Sequence, residues 1–370
     1  MKKCFIAMPI LLMVACNGSP GNNAIYTLYV GTYTDGGSQG IYSLEFDTAS
    51  GELSDQKLVA KLPNPSFLAL SADGKNLYAV QETDDFDSRG GGLTAFSRQD
   101  GELLPMGSMG SAGAHPCHLS LSGEGQLAVA NYSGGNVAIF SLRQDGSLAE
   151  GPQILDHQAL DSTQKAHAHM ASFTSDGLFV ADLGLDAMKR YTLENGRYVP
   201  GAQPSLPFVA GAGPRHFRFG QDGRHLYVIN ELNSSISVFE KDGKERYIEI
   251  QVEGTLDPAY SGKNACADLH LSPDGRFLYG SNRGENTMAI FSVDTESGLL
   301  SPLGRESTGG DWPRNFALDP SGEFLLVANQ RSGNIVVFKR DVASGALEHI
   351  SEVKLPDPAC LVFWDGPINP

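Results

Sequence analysis

The residues best suited to acid–base and anion chemistry recur in one setting along this chain. The segments "PCHLSL", "HAHMASFT", "PRHFRF", "ADLHLS" and "PRNFAL" each bring His, Arg or Asp to the start of a short apolar strand. A turn follows, usually Asp-Gly or Ser-Gly, and a second strand then ends on a polar residue: "NLYAVQE", "QLAVANY", "GLFVADL", "HLYVINE", "FLYGSNR" and "FLLVANQ". The first-strand starts supply His115, His118, His167, His169, Arg215, His216, Asp268, His270, Arg314 and Asn315. The second-strand ends supply Glu82, Asn131, Asp182, Glu231, Arg283 and Gln330. Six of the nine histidines fall in the first set, which random placement would not give. Gathered in one place, these groups could move protons, stabilise an oxyanion and grip an anion.

What must gather them is a repeat. Turn glycines recur at Gly74, Gly125, Gly177, Gly223, Gly275 and Gly322, a period of roughly 50 residues. Asp73, Asp176, Asp222 and Asp274 beside four of them read as turn formers. After each pair of strands comes a third, as in "NVAIFSL" or "SISVFEK", and a weaker fourth. At the chain ends, "TLYVGTY" and "GIYSLEF" are second and third strands without a first, and "PACLVF" is a first strand without successors. Pairing them completes a seventh copy and removes exposed sheet edges. The expected fold is all-β: a seven-bladed β-propeller of four-stranded antiparallel blades, closed by its terminal strands. In such a disc the first strand lines the channel and the second runs antiparallel to it. First-strand starts and second-strand ends therefore share one rim, opposite the Asp-Gly turns.

The rim chemistry points to an anion rather than a metal. His167 and His169 have strand spacing and could share a cation, but Arg215, Arg283 and Arg314 oppose one. No G-x-S-x-G elbow or P-loop is present. No cofactor is expected. The net charge of −16 repels phosphate backbones and excludes nucleic acid as a partner.

Residues 1–16 have a secretory layout, Lys2-Lys3 followed by an apolar run too short to span a bilayer. The run ends in "LMVAC", similar to a lipoprotein cleavage box with Cys16 as the lipidated residue. Residues 17–24 read as a tether and 25–370 as the propeller. The expectation is a monomer at the cell envelope that touches the membrane only through Cys16. Cys117, Cys266 and Cys360 show no metal or disulfide spacing and read as buried thiols.

The segments "HAHMASFTSDGLFVADLGLD", "GPRHFRFGQDGRHLYVINEL", "ACADLHLSPDGRFLYGSNRGENTMAIF" and "PRNFALDPSGEFLLVANQRSGNIVVF" resemble the lactonase family of seven-bladed propellers. That family includes bacterial 6-phosphogluconolactonases and fungal carboxy-muconate lactonizing enzymes. The resemblance runs from about Tyr26 to Phe363. It implies functional positions at His169, Arg215, Glu231 and Arg283, and hydrolysis of a sugar lactone, foremost 6-phosphogluconolactone to 6-phosphogluconate. In that reading His169 is the base and Glu231 orients it or the water. One arginine holds the oxyanion and the other an anionic substituent. His118, His167, His216, Asp268, His270, Arg314, Asn131 and Gln330 are expected to contact the substrate. A muconate-type cycloisomerase and an envelope lactonase for unphosphorylated sugars are the catalytic alternatives. A non-catalytic binding propeller is disfavoured because Tyr132 is one of few rim aromatics.

Overall fold

A computed structural model describes residues 24–99, 101–161 and 163–364. The described residues form seven four-stranded antiparallel sheets, as the repeat predicts. Numbered by their innermost strands, blade one begins at Leu68–Leu70, two at Pro116–Leu121, three at Ala168–Thr174 and four at Pro214–Phe219. Blade five begins at Ala265–Leu271, six at Pro313–Leu318 and seven at Pro358–Trp364. Blade seven is the composite one. Pro358–Trp364 pairs with Ile25–Thr32, matching Leu28 to Phe363 and Val30 to Leu361. The proposed anchor at Cys16 lies outside the described residues.

The second strands are buried on both faces because neighbouring blades cover them. His225–Asn230 and Phe324–Asn329 are buried at every position, whereas the outermost Tyr247–Gly254 is mostly exposed. Blade-to-blade packing is also latched. Tyr78 Oη donates to the carbonyl of Gly146 at 2.8 Å, Tyr227 to Gly298 at 3.0 Å and Tyr279 to Gly345 at 2.8 Å. Each acceptor lies in the next blade and has a left-handed φ between 73° and 87°. A Cβ there would also sit about 2 Å from a neighbouring side chain, so glycine is required twice over.

The Asp-Gly turns lie where the repeat puts them, with positive φ at all six glycines. Asp73, Asp222 and Asp274 accept backbone N–H groups within their turns. Asp176 departs from that role: it takes Lys241 Nζ at 2.7 Å and Tyr247 Oη at 2.9 Å instead. Cys117, Cys266 and Cys360 are free and buried.

Candidate active site

One local irregularity decides which side chains face the channel. In blades two to six the register slips just inside the innermost strand: at Pro116/His118, Ala168/Met170, Pro214/His216, Cys266/Leu269 and Pro313/Asn315. A bulge leaves one residue unpaired and re-aims it. Without it, Arg215 and His216 would point to opposite sides of the strand; with it, both serve the channel. The registers stack the side chains in rings. The bulge ring includes His169, Arg215 and Arg314, and the ring beneath it includes Phe67, His118, His216, Asp268 and Asn315.

The residue before the innermost strand is also special. Asn64, His115, Gly213, Trp312 and Asp357 all have left-handed φ there, and each precedes a proline. Their carbonyls accept the backbone N–H just past the second strand, from Glu82, Tyr132, Glu231, Gln330 and Tyr33 at 2.7–3.0 Å. That recurring bond sets those side chains on the mouth. Asn131 and Asp182 are one residue out of this register, and a one-residue shift reverses the face. Asn131 Nδ2 is spent on the Ser111 carbonyl and Asn136. Asp182 accepts His157 Nδ1 at 2.7 Å and the backbone N–H of His167 at 2.8 Å. Both are fully buried and support the loops; neither contacts the mouth.

At the mouth, Glu231 is clamped between blades. Its Oε2 lies 2.8 Å from Arg215 Nε and 2.7 Å from Arg283 Nη2. Arg215 also donates to the Ala267 carbonyl, and Arg283 to Ala265 and Cys266. Burial opposes charge on Glu231, but Arg283, Arg215 and Arg314 outweigh it and hold its carboxyl below the usual range. Burial, followed by repulsion from Arg215, lowers Arg283 to about 10. Across the mouth Arg314 reaches Glu82 at 3.7 Å and lies over the Tyr33 ring at 5.0 Å. Tyr33 Oη donates to the same Glu82 oxygen at 2.6 Å.

His169 is buried, 5.1 Å from His216 and 5.7 Å from Tyr132, ring to ring. Burial and the nearby Arg215 keep it neutral, well below the ordinary histidine range. It makes no hydrogen bond with Glu231 among the described residues, because the carboxylate is committed to the arginines. His167 stacks on Tyr132 at 4.3 Å and meets its carbonyl through Nδ1 at 2.9 Å. The two histidines thus flank Tyr132. His118, His216, Asp268 and Asn315 lie together one ring below. His270 falls a further ring down, against Asp268 and Phe316. Its neighbour Arg218 lines a cavity of about 390 Å³ bordered by the turn residues Asp176 and Gly223. His270 therefore belongs to the turn-side half of the channel rather than the mouth. Gln330 keeps its place at the mouth, with Oε1 buried and unpartnered among the described residues.

The mouth is more aromatic than the strand pattern suggests. Tyr33 and Trp312 join Tyr132, and Phe67 packs against His118 at 4.3 Å. Trp312 carries Arg283 at 5.2 Å and Arg331 at 3.3 Å from its ring centre. Arg331 is exposed and makes no ion pair among the described residues. Neither Trp312 nor Arg331 belongs to an apolar strand repeat, so the pattern passes over them; Trp312 before Pro313 was the available signal.

The sequence pattern described as "Lactonase, 7-bladed beta-propeller" matches residues 27–363. The chain belongs to that lactonase family. A 6-phosphogluconolactonase of Bacillus subtilis is 36% identical over 300 residues, covering 79% of this chain and 84% of that protein. A 6-phosphogluconolactonase of Formosa agariphila is 36% identical over 318 residues, covering 79% and 86%. Among solved structures, a periplasmic gluconolactonase of Pseudomonas aeruginosa superposes with a TM-score of 0.86 at 36% identity, over 92% of this chain and 99% of its own.

Proposed function

We propose that the protein hydrolyses a six-membered sugar lactone at this mouth, with 6-phosphogluconolactone as the foremost substrate. The observation that carries the reading is the local excess of cation: Arg215, Arg283 and Arg314 against Glu231 and Glu82, in a chain of net charge −16. A pocket so biased suits a lactone bearing an anion and an intermediate that develops one. Arg215 and Arg283 already share Glu231, so they are fixed before substrate arrives. A fixed donor aimed at the oxyanion is worth about 10²–10³ in rate. The other guanidinium, with Arg314 or the unpaired Arg331, is placed to hold the phosphate. Neutral imidazoles at the floor take the proton of the attacking water.

A second reading has its own support. The P. aeruginosa relative is described as periplasmic and as a gluconolactonase, and residues 1–16 here have an export layout. An envelope enzyme would meet an unphosphorylated aldonolactone. Initial rates on 6-phosphogluconolactone, gluconolactone and a carboxymuconolactone, corrected for spontaneous opening, separate the readings. Preference for the phosphorylated lactone supports the first, preference for gluconolactone the second, and turnover of the muconolactone alone the cycloisomerase. Binding without turnover of any lactone would leave a non-catalytic propeller.

A further inference from the structure

His216 and Asp268 form a directed pair at the floor of the mouth. His216 Nδ1 lies 2.8 Å from Asp268 Oδ1. Asp268 also accepts the Leu269 N–H at 2.9 Å, Asn315 Nδ2 at 2.6 Å and His270 Nε2 at 3.1 Å. The Asn315 amide cannot be turned round, because its Oδ1 accepts the Leu361 N–H at 2.8 Å. A carboxylate surrounded by donors is ionised, although burial alone would favour its neutral form. The proton between the pair therefore sits on His216 Nδ1, and Nε2 keeps its lone pair. Among the described residues that nitrogen is buried and unpartnered, in a residue only 4% exposed.

His169 has no such support. Its Nδ1 is also buried without a partner among the described residues, but the charges it feels most are those of Arg215, His216 and Arg314. An imidazolium at His169 would face cations; one at His216 would face Asp268. Around His216 the charged and titratable neighbours are His118 from blade two, His169 from blade three, Arg215 and Arg218 from its own strand, and Asp268 with His270 behind it from blade five.

We infer that His216, held by Asp268 as a positioning residue, is the base that takes the proton from the attacking water, while His169 in the ring above hydrogen-bonds the water or the lactone. This rests on the hydrolytic reading given under Proposed function. In the step, a water O–H bond breaks as its oxygen bonds to the lactone carbonyl carbon, and the proton moves to His216 Nε2. The ring C–O bond then breaks, and the same proton passes to the departing ring oxygen, which becomes the product hydroxyl. The second water proton leaves the new carboxylic acid for solvent.

The test uses the whole protein and its His216→Gln, Asp268→Asn and His169→Gln variants, on whichever lactone the wild type opens. His216→Gln should lower kcat by about 10²–10⁴, and Asp268→Asn by up to about 10⁴, as where an Asp orients a catalytic imidazole, both with little change in KM. His169→Gln should act mainly through KM. Histidine side-chain ¹⁵N spectra of the folded wild type near neutral pH should show His216 protonated at Nδ1 and bare at Nε2, a readout independent of whether any variant folds. An Nε2-protonated His216, or a His216→Gln enzyme with wild-type kcat, overturns the assignment while lactone hydrolysis stands. A wild type that opens no lactone overturns the functional reading and this inference together.

Discussion

Glu231 Oε2 and Arg283 Nη2 meet at 2.7 Å although Glu231 follows the second strand of blade four and Arg283 ends that of blade five. The same oxygen faces Arg215, whose side chain is among the largest fully buried ones in the protein. The mouth is thus cross-linked by charge as well as by packing. Glu231→Gln would leave two buried guanidiniums without their counter-charge, and breaking a buried pair costs about 3–5 kcal/mol. Denaturant unfolding should show a loss of that order. Adding Arg283→Met should recover part of it, and equal additive losses would mean the clamp is not coupled.

Acid should act early on this fold. His118, His169, His216 and His270 are held below the ordinary histidine range, first of all by burial, with His216 at about 4. In the unfolded chain each titrates near 6.5. Between that value and the folded one, only the unfolded state takes up the proton. Stability is therefore full above about pH 6.5 and falls as pH drops through the folded values, by up to about 1.4 kcal/mol per pH unit for each imidazole. Thermal unfolding from pH 7.5 down to 4.5 should show a steepening decline, shallower in His118→Gln. A flat profile over that range would contradict the neutral burial of these rings.

The blade latch predicts a graded pair of effects. Tyr227→Phe removes the bond to the Gly298 carbonyl and should cost about 0.5–1.5 kcal/mol. Gly298→Ala should cost more, because φ is 73° and the added Cβ meets His225 at 2.2 Å. Equilibrium unfolding of the two variants checks the order.

The repeat, the ring closure and the shared rim were legible because a period near fifty residues and a two-residue alternation survive in sequence. Arg215, Glu231 and Arg283 could be placed together on that basis alone. Asn131 and Asp182 were misplaced by one residue at the end of a regular second strand: Tyr132 and Leu183, not they, make the bond that Glu82 and Glu231 make, and a single step reverses the face. His270 was assigned too high for a different reason: it faces the same side as Asp268 but two residues further along the strand, level with Arg218 and nearer the turn side. Trp312 and Arg331 escaped because their placement depends on a left-handed backbone and a cation–aromatic contact between loops, neither of which has a periodic signature.

Arg331 is the residue on which substrate charge should register most selectively. Arg215, Arg283 and Arg314 each face a carboxylate, whereas Arg331 lies on Trp312 with no ion pair among the described residues. Stacking on an aromatic face orients a guanidinium without neutralising it. A charge-assisted contact to a phosphate is worth about 1.5–3 kcal/mol, so Arg331→Ala should raise KM for a phosphorylated lactone by roughly 10–100-fold. KM for the uncharged lactone, and kcat for both, should change little, since the residue lies outside the Glu231 clamp. Arg331→Lys should restore only part of the loss, because an ammonium lacks the planar fork. Trp312→Ala should cause the same loss for the phosphorylated lactone and a further loss shared by both lactones, because the ring also carries Arg283. Equal KM changes for charged and uncharged lactones would remove Arg331 from anion recognition and shift that role to Arg314.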